Sequence, residues 1–485
     1  MNWRQILRLL GTIQAIIGLF MAIPTALALY YGEWAAFKAF IFTLIIIIIY
    51  VVVILSVGRA WKERSLTLRD VYLFVTLSWI VATFLGAIPL YRSGTTANYT
   101  SAFMEAMSGF TTTGLTNIEN VEGVAKSILF WRSLTHWLGG MGIVVLFVAL
   151  LPLMGVEGFQ LFGAEAVGPT KSKLTPKMKN TAIILWLIYI ALTLLQTILL
   201  LFGGVSLFDA LIITFGSVAT GGFAATNGSI ASYSSSYVEI VTTIFMVLAG
   251  VNFSLYFALV RKKFSTIWRD GELKVYLAIY FSATLVITLS LLQSGSYPSF
   301  ATSLRYGAFQ SASIMTTTGF SSASYNSWPP LAQGVLLLLM FIGGSAGSTS
   351  GGIKVARIVT LFKLGRQNVK SLLHPRGVFT IQREEEPIPW RTVNAIAGFV
   401  ALYLFLVLVS TLVVASAGYD LLTSLTSGLC CVGNIGLGLN GVGPGGVGFT
   451  TMPNYVKWFL SFMMLAGRLE IYTVLALFSP NFWKR

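Results

Sequence analysis

Charge is what this chain has least of. Only 10% of its 485 residues are Asp, Glu, Lys or Arg, against roughly 25% in an ordinary soluble domain, so water is not the solvent for most of its surface. Cysteine occurs twice, at the adjacent Cys430 and Cys431. Neighbours offer neither a disulfide framework nor a spaced metal site, and these two read as small apolar fillers. Histidine also occurs twice, at His136 and His374. Acidic residues are scarcer than basic ones, 17 against 32, which leaves a net charge of +15. That excess does not point to nucleic acid, because the basic residues are not interleaved with base-stacking aromatics on a soluble module.

Long apolar runs are what is present, within a chain that is 55% hydrophobic. Ala39 to Val57, Thr181 to Phe202, Leu277 to Leu292 and Ala395 to Ala415 approach or exceed the roughly 17–25 residues that cross a bilayer, and about ten spans are expected in all. Basic residues gather at Arg4 and Arg8, Arg59 to Arg69, Lys171 to Lys179, Arg261 to Lys274, Arg357 to Arg391, and Lys484 with Arg485. Every second connection is therefore basic, and the positive-inside rule puts both termini and these loops in the cytoplasm. The first run ends in Ala26-Leu27-Ala28, like a signal cleavage site. It is longer than the roughly 7–15 residues of a signal core and another span follows at once, so it reads as a retained helix.

A motif recurs four times. Thr111-Thr112-Thr113-Gly114-Leu115 matches Thr316-Thr317-Thr318-Gly319-Phe320, with looser copies at Ala219-Thr220-Gly221-Gly222-Phe223 and Gly433-Asn434-Ile435-Gly436-Leu437. The final glycines fall about 100 residues apart, a period longer than that of solenoids. Before each lies an apolar segment too short to cross, near 101–110, 207–218, 302–315 and 421–432, which reads as a re-entrant half-helix. Asp209 and Asp420 stand where two of these should be capped.

The expected fold is an all-α polytopic membrane protein with four helix–pore loop–helix repeats around a pseudo-fourfold pore. Its expected parts are an N-terminal hairpin over 1–65, repeats over 66–170, 171–265 and 266–375, and a last repeat over 376–485. Irregular backbone at membrane depth survives only where protein or a water-filled cavity satisfies it, so four such loops imply a central aqueous axis. Glycines there let backbones converge and turn carbonyl oxygens inward, in place of an ion's hydration shell. Half-helices aim their partially negative carboxyl ends at the same place, which favours a cation. The candidate ion-binding residues are Thr112, Thr113, Gly114, Thr220, Gly221, Gly222, Thr317, Thr318, Gly319, Asn434, Ile435 and Gly436.

Two further elements stand out. Gly343, Gly344, Ser345, Ala346, Gly347, Ser348, Thr349, Ser350, Gly351 and Gly352 form an unbroken run of small residues. Each glycine costs a helix about 1 kcal/mol relative to alanine, so a movable loop is expected, with close helix packing as the alternative. Arg468 lies within the last apolar run, where an arginine costs at least roughly 2.5–3.5 kcal/mol unless water or partners meet it. It reads as functional, the alternative being a structural pair with Glu470 or Glu105.

The four loops, the extra hairpin, Trp137-Leu138-Gly139-Gly140-Met141-Gly142, the small-residue loop and Arg468 together resemble the TrkH-type subunits of the Trk/Ktr/HKT potassium-transporter superfamily, over the whole chain. The resemblance implies potassium uptake across the bacterial cytoplasmic membrane and an intramembrane gating loop at Gly343 to Gly352. It implies that Arg468 faces the pore below the filter. It also implies a homodimer with one pore per protomer and a cytosolic nucleotide-binding ring of the TrkA type. Potassium is then the transported ligand, no cofactor is covalently bound, and nucleotide acts only through the partner subunit. Loops two and four depart from Thr-Thr-Thr-Gly, which implies an asymmetric filter. The basic loops offer a surface to that partner or to anionic membrane lipids.

Rival readings come from other classes. Gly343-Gly344-Ser345-Ala346-Gly347 fits the G-x-S-x-G nucleophile elbow of a serine protease, but the chemistry needs a base. His136 is expected near the outer end of a span and His374 in a cytoplasmic loop, neither beside Ser345. Gly436 to Gly441 fits G-x-G-x-x-G without the βαβ unit that gives that fingerprint meaning. A symporter coupled to sodium or protons also uses broken helices. It calls for intramembrane carboxylates, of which few, such as Glu105, lie near the expected pore.

Overall fold

The computed structural model describes residues 1–58, 67–142, 178–377, 379–383, 386–446 and 448–484. Its regular structure is helical apart from a hairpin pairing Gln382 and Arg383 with Pro387 and Glu386. Backbone amides have no water to bond in hydrocarbon, so an unbroken helix is the simplest way across. Six described helices are long and apolar enough: Trp3–Tyr30, Trp34–Ile54, Leu68–Arg92, Ala182–Phe202, Gly271–Gln293 and Trp390–Ala415. The number rises to eight if two bent pairs, Ser236–Ala249 with Phe253–Val260 and Asn454–Arg468 with Tyr472–Phe478, each count as one span. This is fewer than the expected ten. The helix Lys126–Gly140 stops where residues 143–177 leave the described set, and Pro330–Leu339 ends at the small-residue run.

The first two helices form the appended hairpin. Gly11 and Gly18 bring its strands of backbone close, since a Cβ there would stand 3.2 Å from Ile54 and 3.1 Å from Ile47. The turn between them reaches across to the first repeat. Glu33 accepts hydrogen bonds from the backbone of Lys126 at 2.6 Å and of Ser127 at 3.0 Å. The helix Lys126–Gly140 has no side-chain cap of its own, so Glu33 supplies the acceptor and negative charge its first turn lacks.

Each repeat then follows one order: a long first helix, a half-helix, a loop, and a second helix. The half-helices are Tyr99–Phe110, Leu207–Val218, Phe300–Met315 and Leu421–Gly433. Side chains at Asn98, Ser206, Ser299 and Asp420 cap them, accepting from backbone N–H groups at 2.8, 3.1, 3.2 and 3.1 Å. Asp420 is a cap as expected, but Asp209 is not. It sits in the first turn and accepts from the Ser206 hydroxyl at 2.7 Å, because the shorter serine three residues earlier reaches the free N–H. Hydrogen bonds from Thr423 hold the Asp420 carboxyl below its usual range, so it stays charged at the positive end of its half-helix.

In three repeats a glycine at or after the end of the second helix meets the carboxyl end of a half-helix. A Cβ on Gly139 would lie 1.8 Å from the carbonyl oxygen of Phe110, one on Gly351 2.2 Å from that of Gly433, and one on Gly467 2.1 Å from that of Val432. These oxygens belong to the last turns of half-helices, so the ends of the half-helices press directly into the breaks. The second and fourth repeats bend there by 94° and 112°.

Candidate functional site

The four loops share one backbone. Thr112, Thr220, Thr317 and Asn434 have φ of 54°, 53°, 58° and 53°, and two residues later Gly114, Gly222, Gly319 and Gly436 have φ of 84°, 81°, 80° and 84°. Such φ values are rare for residues with a Cβ. Finding them at equivalent positions of all four loops shows that the loops are structural copies despite their different sequences.

The loops also touch in order around an axis. A Cβ on Gly114 would stand 1.8 Å from the carbonyl oxygen of Gly221, and one on Gly222 2.0 Å from that of Thr318. Continuing round, Gly319 meets the oxygen of Ile435 and Gly436 that of Thr113, each at 2.2 Å. The fourth contact returns to the first loop, so the ring is closed. Each glycine accommodates the carbonyl that precedes the next loop's glycine. A cavity of about 310 Å³ lies against the ring, lined in part by Gly114, Gly222, Gly319 and Arg132.

Hydroxyls brace the loops from behind. Thr111 and Thr113 bond each other at 2.8 Å, as Thr316 and Thr318 do at 2.7 Å. Ser108 and Ser313 donate to the carbonyls of Leu115 and Phe320 at 2.8 and 2.6 Å. Asn434 tolerates its positive φ, and its amide donates to Thr113 Oγ1 at 2.9 Å and to the Met464 carbonyl at 3.0 Å. The first loop is further fixed by Glu105, 1% exposed. Glu105 accepts from Asn117 N at 2.6 Å, Thr116 Oγ1 at 3.0 Å and Arg132 Nε at 2.8 Å. The Arg132 guanidinium stacks 4.1 Å from the Phe223 ring, so this carboxylate is fully engaged in holding protein.

The run Gly343 to Gly352 is an irregular loop rather than a helix–helix contact. It leaves and rejoins helix through a parallel bridge between Ile342 and Ile353. Between these points it threads beneath the ring. Gly351 N donates to Thr317 Oγ1 at 2.7 Å, Ser345 N to the Gly250 carbonyl at 2.8 Å, and Thr349 Oγ1 to the Val218 carbonyl at 3.1 Å. Arg468 closes the level, donating to the carbonyls of Thr349 at 2.9 Å, Gly139 at 2.7 Å and Gly140 at 2.9 Å. It is the last residue of its helix, at the bend of the pair Asn454–Arg468 and Tyr472–Phe478. The break continues through Glu470 and Ile471 at φ of 58° and 55°, a strained arrangement for a β-branched residue.

Glu105 pairs with Arg132 at 2.7 Å, and Glu470 pairs with Arg357. Arg357 in turn lies 3.9 Å from the Phe399 ring. Three residues beside the loop carried no sequence signal of their role. Lys354 donates to the Ser350 carbonyl, Asn252 lies against Gly347, and Glu272 accepts from Ala346 N at 2.6 Å. They come from three different elements, and an isolated polar residue near a span end resembles any interfacial one.

His136 corrects an expectation. It lies four residues before the end of Lys126–Gly140, fully buried, with Nδ1 2.7 Å from the Gly109 carbonyl and its ring stacked at 4.1 Å on Phe223. It packs behind the first two loops and not at a span's outer end. Ser345 Oγ has no hydrogen-bond partner among the described residues, so no base activates it. Gly436 to Gly441 forms the exit of the fourth loop and a short 3-10 turn, with no strand before it.

Comparison with known families matches residues 37–485 to TrkH, described as a cation transport protein. The chain belongs to the TrkH family. It is 37% identical over 493 residues to the Trk system potassium uptake protein TrkH of Escherichia coli, with 100% of both chains covered. Against the Trk system potassium uptake protein TrkI of Halomonas elongata it is 32% identical over 487 residues, covering 100% of this chain and 98% of the other. The crystal structure of the potassium transporter TrkH from Vibrio parahaemolyticus superposes with a TM-score of 0.89 at 34% identity over the full length of both.

Proposed function

We propose that this chain carries potassium into a bacterial cell across the cytoplasmic membrane, through a pore enclosed within one protomer. The closed ring of Gly114, Gly222, Gly319 and Gly436 against the carbonyls of Gly221, Thr318, Ile435 and Thr113 carries the reading. Backbone oxygens at equivalent positions of four loops can replace the hydration shell of a monovalent cation. The half-helix carboxyl ends add negative potential there. Full-length relatives that carry potassium uptake in their names support the choice of ion.

In this reading Gly343 to Gly352 is the gate, and Arg468 is a fixed charge below the filter that holds it. The division at residues 65, 170, 265 and 375, and cytoplasmic termini, follow from the repeat and the basic loops. The chain works as a homodimer with a TrkA-type nucleotide-binding subunit docked on those loops, beside anionic lipid. Channel-like flux is favoured over symport because Glu105 is already bonded to Arg132, Thr116 and Asn117. Purified protein in liposomes tests this: potassium should follow its own gradient alone. Flux that needs an imposed sodium or proton gradient would establish the symporter instead.

A further inference from the structure

A loop of ten small residues offers few side chains by which to be held, yet each buried N–H needs an acceptor. Among the described residues, Arg468 and Lys354 donate to its carbonyls, while Glu272 alone of the charged side chains accepts from its backbone. Glu272 Oε1 takes Ala346 N at 2.6 Å and Ala356 N at 3.1 Å. Ala346 lies within the loop, whereas Ala356 lies in the first turn of the next helix, Val355–Leu373. That helix has no side-chain cap of its own, so one carboxylate both caps it and ties the loop to it. A buried anion at a helix amino terminus makes strong, charge-assisted bonds.

Glu272 belongs to neither tied element. It stands in the first turn of Gly271–Gln293, directly after the basic stretch that includes Arg261 and Arg269. A cavity of about 240 Å³ beside it, lined by Val275, Ala356, Val359, Thr360 and Lys363, gives the side chain room to withdraw. We propose that Glu272 is a positioning residue that latches the gating loop shut, so that moving the start of its helix releases both N–H groups together. The proposal rests on the gating reading of Gly343 to Gly352.

Resting potassium efflux from proteoliposomes tests it, with the melting temperature of each protein recorded. Glu272→Ala should raise efflux about tenfold, as expected for losing a charge-assisted bond. Glu272→Gln keeps an acceptor oxygen at the same reach but loses the charge, so it should raise efflux less than Glu272→Ala. Proline is tolerated in a helix's first turn and lacks the N–H, so Ala356→Pro removes one bond without touching Glu272. It should raise efflux severalfold and add nothing to Glu272→Ala, because both remove the same contact. Should Glu272→Ala fail to fold, Ala356→Pro decides alone. Wild-type efflux in Glu272→Ala or Ala356→Pro, or additive effects in the double variant, would overturn the latch. A chain shortened between Gly344 and Gly351 separates the two readings: if it too leaves efflux unchanged, the gate itself is misassigned.

Discussion

A Cβ on Gly114 would stand 1.8 Å from the carbonyl oxygen of Gly221, closer than any non-bonded pair allows. The neighbour is backbone, fixed by its own half-helix, and cannot yield as a side chain would. Gly319 stands in the same relation to Ile435 at 2.2 Å. Replacing either glycine with Ser must push two loops apart and also strain a positive φ. Gly114→Ser and Gly319→Ser should therefore let sodium compete with potassium. Matched sodium and potassium fluxes in liposomes check this, and unchanged preference in both variants would remove the filter assignment.

Arg468 binds three carbonyl oxygens, at 2.7 to 2.9 Å. A positive charge 4 Å from a passing cation repels it by about 4 kcal/mol at an effective dielectric near 20, enough to slow passage about a thousandfold. Arg468→Ala should raise potassium flux, and Arg468→Lys, which keeps charge but loses the planar donor fork, should fall between. A drop in both flux and melting temperature for Arg468→Ala would make the residue structural.

Shortening the loop between Gly344 and Gly351 removes the bonds to Thr317 and Arg468 together. Resting cation flux should rise while membrane insertion persists, read as efflux from liposomes containing correctly folded protein. Flux equal to wild type would return the small residues to a packing role.

The Arg132–Glu105 pair is buried, at 2.7 Å, and anchors the far limb of the first loop. Arg132→Ala leaves the Glu105 carboxylate without its counter-ion and should cost about 3–5 kcal/mol of stability. Removing both charges, as Arg132→Met with Glu105→Gln, should recover much of that loss. Thermal unfolding in detergent measures both, and a single variant as stable as wild type would show that the pair does not stabilise the fold.

The repeat was legible because its cause is local. The four loop glycines recur after short apolar segments, and Asp420 caps its half-helix as expected, whereas Asn98, Ser206 and Ser299 emerged as caps only in the structure. The ten-residue loop was legible for the same reason, since no helix favours such a composition. The partners of that loop were not. Glu272 and Asn252 meet it from separate elements, and nothing in a single sequence orders residues by their distance across a fold. His136 was misplaced because the groups it packs on, the Gly109 carbonyl and the Phe223 ring, come from other elements.

By itself the sequence determined the membrane class, the appended hairpin, the fourfold recurrence and the candidate residues, because apolar length, charge placement and glycine are properties of short stretches. Only the tertiary structure decided that the loops close a ring in the order one, two, three, four, and that Arg468 donates to the carbonyls of Thr349, Gly139 and Gly140. It also decided that the chain breaks at Ile471. Those facts depend on which backbone lies against which, and a contact such as Gly436 with Thr113 joins residues separated by most of the chain.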